Sequence, residues 1–136
     1  MRRLLWGLRY AAAPVVVLGL LSCSSSQALP DPPATEQRVS GRNGWYLSVP
    51  DRPISLEKPI SVWVMARRAG ELTLEVRMDG GLVEPVTLPV SANGIDKWML
   101  VPILGHPYES PPGFYDIQLL GAGGEVLAEA QMEATS

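Results

Sequence analysis

From residue 44 onward, apolar residues come in short runs, and within several runs they fill every second position. Leu72, Leu74, Val76 and Met78 alternate with Glu71, Thr73, Glu75 and Arg77. Tyr115, Ile117 and Leu119 alternate with Asp116 and Gln118. Val126, Ala128, Ala130 and Met132 share one side of a run whose other side carries Glu125, Glu129 and Glu133. Successive side chains of a strand point to opposite faces, so a period of two with one polar side describes a half-buried strand. One wet face per strand implies antiparallel sheets. Helical spacing fits none of these segments.

Seven such runs occur, at 45–49, 59–66, 71–78, 83–90, 95–103, 113–120 and 125–133. The residues between them are turn formers. Asp79-Gly80-Gly81 and Asn93-Gly94 tolerate the positive φ of tight hairpins, and Gly121-Ala122-Gly123-Gly124 joins the last two runs. Pro50, Pro53, Pro107, Pro111 and Pro112 fall between runs, where a missing N–H breaks no ladder. The chain is therefore expected to be all-β. A single antiparallel β-sandwich of about seven strands would span 44–136, after an N-terminal signal helix and a flexible tether. A small β-barrel is the alternative closure.

Residues 112–119, Pro-Gly-Phe-Tyr-Asp-Ile-Gln-Leu, then a Gly-rich turn and Glu125-Val126-Leu127, resemble the closing hairpin of the immunoglobulin-like and fibronectin type III-like modules of bacterial exported proteins. The resemblance covers about 20 residues closely and the rest by strand count. It places Tyr115 where a tyrosine corner forms. The chain has one cysteine, so the inter-sheet disulfide of immunoglobulin domains is absent, as it is in type III-like modules. Such folds host many functions.

The N-terminus carries a different signal. Arg2 and Arg3 are followed by Leu4-Leu5-Trp6, and after Arg9 an apolar run fills 11–21. A charged start and a short apolar stretch make a secretory signal peptide, too short to span a bilayer comfortably. The run ends Leu20-Leu21-Ser22-Cys23, which resembles the lipobox of bacterial lipoproteins. The aliphatic Leu20, the small Ser22 and the cysteine fit the pattern; Leu21 is a less typical choice. The resemblance implies diacylglyceryl transfer to the Cys23 thiol, cleavage before Cys23, and acylation of the new amino group, for example with palmitate. Each buried CH₂ adds about 0.8 kcal/mol, and several chains on one residue anchor where one would not. Ser24 stands where enterobacterial lipoproteins kept in the inner membrane have Asp, which points to the outer membrane where there is one. An ordinary signal peptide with a chance cysteine is the alternative.

Residues 23–43 read as the tether. Ser24-Ser25-Ser26-Gln27 is flexible, Leu29-Pro30-Asp31-Pro32-Pro33 is locally extended, and 34–43 shows no period. The segment is expected to lift the domain off the membrane. The proline cluster is alternatively a peptide ligand for a partner.

Composition excludes several functions. Without Arg2, Arg3 and Arg9, 8 basic residues face 14 acidic ones, a net charge near −6. Such a surface repels phosphate backbones, so nucleic acid is not an expected partner. His106, in Gly105-His106-Pro107, is the sole histidine, and Cys23 is committed to lipid. Neither a catalytic triad nor a zinc site can be assembled from these. Asp79, Glu84 and Asp96 are scattered singly, unlike calcium ligands. The expectation is a non-enzyme with no cofactor and no metal.

Two runs break the alternation. In 60–65, from Val62 onward, and in 98–101 both sides are apolar. With Ile60, Val62 and Val64 inward, Trp63 and Met65 point out. In an immunoglobulin-like topology the second and fifth strands are neighbours, so Tyr46, Trp63, Met65 and Trp98 would form one interaction patch. Cover by the tether or a loop is the alternative. The function expected is a lipid-anchored cell-envelope module that positions a protein partner, exported and held in the periplasm or at the cell surface. A carbohydrate-binding module for wall or surface glycan is the second reading.

Overall fold

The computed structural model describes residues 28–79, 81–83, 85–104 and 110–136. The signal segment, including Leu20, Leu21, Ser22 and Cys23, lies outside the described residues, as does His106.

The chain is all-β, with β1 (Gln37–Arg42), β2 (Trp45–Pro50), β3 (Ile54–Ser55), β4 (Ile60–Met65), β5 (Gly70–Met78), β6 (Gly81–Leu82), β7 (Val86–Val90), β8 (Trp98–Leu104), β9 (Gly113–Leu120) and β10 (Val126–Thr135). One sheet runs β1-β2-β4-β8. The other runs β3-β10-β9-β5-β6, with β7 also on β5. All pairings are antiparallel except the short parallel β3–β10 contact.

The alternation decides which side chains go inside. Leu47, Val49, Ile60, Val62, Val64, Val101 and Ile103 come from the first sheet. Leu72, Leu74, Val76, Tyr115, Ile117 and Leu119 come from the second and belong to the same core. Along β10 the inward residues are Ala128, Ala130, Met132 and Ala134, and this strand lies close to β1 and β2. Short side chains let the two layers approach at that edge. Tyr115 is fully buried, and its phenolic O–H donates to the Pro111 carbonyl just upstream. The bond ties the ring back to the chain four residues upstream.

Four differences from the sequence reading have physical causes. The described residues form ten strands where about seven were expected: β3 and β6 are two-residue pairings too short to carry a pattern, and β1 lies in the segment read as tether. The tether, read through Asn43, is ordered over its last part. Gln37–Arg42 pair with β2, from Gln37 opposite Pro50 to Arg42 opposite Trp45. The strand is polar because it is an edge, and Arg38 uses its guanidinium to donate to the Gln131 carbonyl on β10. Asn93-Gly94 does not make a hairpin. Ala92–Gly94 form one 3-10 turn on the crossover from β7 in one sheet to β8 in the other. Val126 points outward, because the register shifts between Val126 and Ala128. A bulge turns the residues on one side of it to the opposite face.

Candidate functional site

The two outer faces differ in chemistry. On the β10-β9-β5 side, side chains in register make polar rows. Gln118 donates to Glu129 at 2.6 Å, Gln131 donates to Asp116 at 3.0 Å, and Arg77 pairs with Glu75 at 2.9 Å. This is a solvated face: Gln118–Glu129 and Gln131–Asp116 bridge β9 and β10, Arg77 and Glu75 lie two apart on β5, and each pair is worth little individually.

The outer face of the β1-β2-β4-β8 sheet is apolar and aromatic. Register fixes it. Tyr46 lies opposite Met65, and Met65 opposite Trp98. One row further along the strands, Val39 lies opposite Ser48, Ser48 opposite Trp63, and Trp63 opposite Leu100. Paired residues present side chains to the same face. The four residues expected to form the patch are therefore neighbours, because β4 and β8 pair as the second and fifth runs were expected to.

Their exposure is uneven. Trp63, Met65 and Trp98 are half-buried. Leu100 is 55% exposed and was not anticipated, although it sits between two inward residues in an all-apolar run. Tyr46 is only 8% exposed, and Ser48 is fully buried. Neither is part of the core between the sheets, so they are covered from outside. Ser48 donates its hydroxyl to Gln37 Oε1 at 3.1 Å.

The segment before β1 supplies cover. The Trp98 indole N–H donates to the Asp31 carbonyl at 3.1 Å. Five residues on, the Glu36 carbonyl accepts the Asp51 N–H at 2.7 Å, and the Glu36 carboxylate lies 3.4 Å from Arg52. Trp98 belongs to one edge strand, and Glu36 leads into the strand at the opposite edge. Residues 31–36 thus form a strap that runs across the face from β8 to β1. Glu36 takes a left-handed φ of 58°, which turns the chain from the strap into β1. Part of what reads as tether is therefore tied to the aromatic patch at Trp98.

Among the described residues, no group of three or more His, Cys, Asp or Glu side chains is placed to hold a metal ion. No helix among them is long and apolar enough to cross a membrane. A cleft of about 480 Å³ is lined by Gln37, Pro50, Ser61 and the turn containing Glu57 and Lys58. The chain matches no protein-family model, no curated protein and no solved structure.

Proposed function

We propose that this chain is a lipid-anchored, non-catalytic module of the bacterial cell envelope that holds a protein partner against the outer face of its four-stranded sheet. The observation that carries the reading is the juxtaposition of Trp63, Met65, Trp98 and Leu100 on that face. The other sheet spends its outer face on polar pairs. Partner surfaces concentrate aromatics and Met at an apolar centre, with polar groups at the rim. Within this reading the domain is immunoglobulin-like, which the Tyr115–Pro111 bond supports, and Cys23 carries the lipid.

Glycan binding is the weaker reading. Sugar rings stack on aromatic faces while hydroxyls meet polar donors. Here Trp63 and Trp98 sit diagonally across the β4–β8 pair, and the residues directly opposite them are Leu100 and Met65.

The test uses the full chain in cells. Metabolic labelling with an alkyne fatty acid is expected to mark the wild type and not Cys23→Ala, which leaves the membrane fraction. A photo-crosslinking residue at position 100 is expected to give one defined protein adduct, and Trp63→Ser is expected to remove it while the near-ultraviolet spectrum stays native. Absence of lipid on Cys23 overturns the anchor. Absence of any adduct overturns the binding face.

A further inference from the structure

The strap that crosses the aromatic face has a composition of its own. With the two residues that lead into it, it opens as Leu29-Pro30-Asp31-Pro32-Pro33. Pro30 and Pro33 are half-buried, whereas Leu29, Asp31 and Pro32 are exposed. Residues 30–32 carry no regular secondary structure and Pro33 opens a bend; a proline-rich extended segment of this kind makes no internal hydrogen bonds. Its carbonyls are therefore free to accept from outside. One of them, at Asp31, takes the Trp98 indole N–H.

Proline-rich segments are recognised by this combination. Aromatic rings floor the surface, proline rings spaced i and i+3 rest on it, and an indole or phenol donor meets a carbonyl between them. The segment arrives nearly preorganised, so little entropy is lost on binding. Tyr46, Trp63 and Trp98 supply the rings here, and Pro30 to Pro33 supply a Pro-x-x-Pro ligand.

We infer that the outer face of the four-stranded sheet is a binding site for proline-rich segments with Pro-x-x-Pro spacing, occupied in this chain by its own residues 30–33. The inference rests on the binding-module reading above and names the chemistry of its partner. The cis ligand is held by few ties. Residues 28–36 pair with no strand. Among the described residues they are bonded through Asp31 to Trp98, Glu36 to Asp51, and an exposed ion pair to Arg52. A partner with the same spacing takes the same seat once the strap lifts. Because the strap is on the same chain, a free peptide competes against an effective concentration on the order of millimolar.

The experiment uses residues 24–136, which include every described residue, with the tryptophan indoles ¹⁵N-labelled. The probe is a blocked peptide of the sequence of residues 28–36. The Trp98 indole resonance, assigned by its loss in Trp98→Phe, reports occupancy. In the double variant Pro30→Ser with Pro33→Ser the resonance is expected to move to a solvent-exposed position. The peptide is expected to return it saturably, and the same peptide with both prolines changed to serine is not. The wild type is expected to need at least about tenfold more peptide. A chain beginning at residue 34 repeats the measurement without relying on the double variant.

A native fold with no return of the resonance overturns the inference. So does a return that tracks protein concentration without peptide, since the occupant is then a second copy of this chain. Peptide binding needs neither lipid nor envelope, so failure of Cys23 labelling leaves this test untouched. An adduct at position 100 without peptide binding overturns the proline-rich ligand alone.

Discussion

The indole N–H of Trp98 donates to the carbonyl of Asp31, 67 residues earlier in the chain, at 3.1 Å. This bond ties the strap to the far edge of the sheet. A hydrogen bond of this kind contributes about 0.5–1.5 kcal/mol net. Trp98→Phe keeps a ring on the face and removes the donor. The variant is expected to open the strap roughly two- to tenfold more often, the Boltzmann equivalent of that energy. Cleavage by a Glu-specific protease after the exposed Glu36 reads this directly, since cleavage tracks the open population when reclosing is fast. The urea midpoint should barely move. An unchanged cleavage rate would mean that the bond holds nothing.

The other end of the strap depends on the β1–β2 hairpin, and Gly41 is its sensitive position. Gly41 has φ +132°, and a Cβ there would lie 2.1 Å from the Trp45 carbonyl oxygen. The obstacle is backbone, which cannot swing aside. Gly41→Ala is expected to cost at least about 1–3 kcal/mol, the range of residues forced into rare backbone regions. Hydrogen exchange should accelerate across Gln37–Arg42 before it does in β5 or β9. Uniform loss of protection would instead mean that β1 folds as one unit with the core.

This hairpin also shows what the sequence could and could not disclose. Inward and outward residues of β5 and β9 were readable, because nothing interrupts their alternation. β4 was readable from Ile60, Val62 and Val64, with Trp63 and Met65 left for the other side. β1 carries Arg38, Ser40 and Arg42, which look like linker, and no periodicity exposes an edge strand made of such residues. Its signal was in the loop. Asn43 and Gly44 have φ of 56° and 83° and join Arg42 to its partner Trp45, the two-residue Asn-Gly turn of a tight hairpin. Burial of Tyr46 and Ser48 was beyond pattern reading, since alternation within β2 does not tell what lies over its outer face. The bulge that exposes Val126 is equally silent, because a one-residue shift leaves composition unchanged.

The alanines of β10 yield a packing prediction. Ala130 is buried, pairs with Ile117 on β9, and belongs to the strand that lies against β1 and β2. Three extra carbons have no space between layers packed at that distance. Ala130→Leu is expected to destabilise by about 1–3 kcal/mol through overpacking, whereas Ala130→Gly loses only a methyl and some strand propensity. Equilibrium urea unfolding with an unchanged m-value checks this. A neutral Ala130→Leu would show that the sheets can spread at this edge.

Tyr115 links the last prediction to pH. Its ring is fully buried and its O–H donates to the Pro111 carbonyl. Tyr115→Phe keeps the ring and leaves that carbonyl without this donor, at a cost of about 1–3 kcal/mol. Burial pushes the phenol above its ordinary value of 10.0, and a hydrogen bond with Ser110 draws it partly back. Below pH 10 both folded and unfolded states keep the proton, so the stabilisation is complete. As pH rises past 10.0 the unfolded chain ionises first, and stability falls until the folded phenol ionises as well. The phenylalanine variant has no such group at this position. The stability gap between wild type and Tyr115→Phe is therefore expected to be constant from neutral pH to about 10 and to narrow above it. Urea midpoints of both proteins across pH 7 to 11 measure the gap; a constant gap above pH 10 would show that Tyr115 ionises as readily folded as unfolded, and a widening one that it ionises more readily folded.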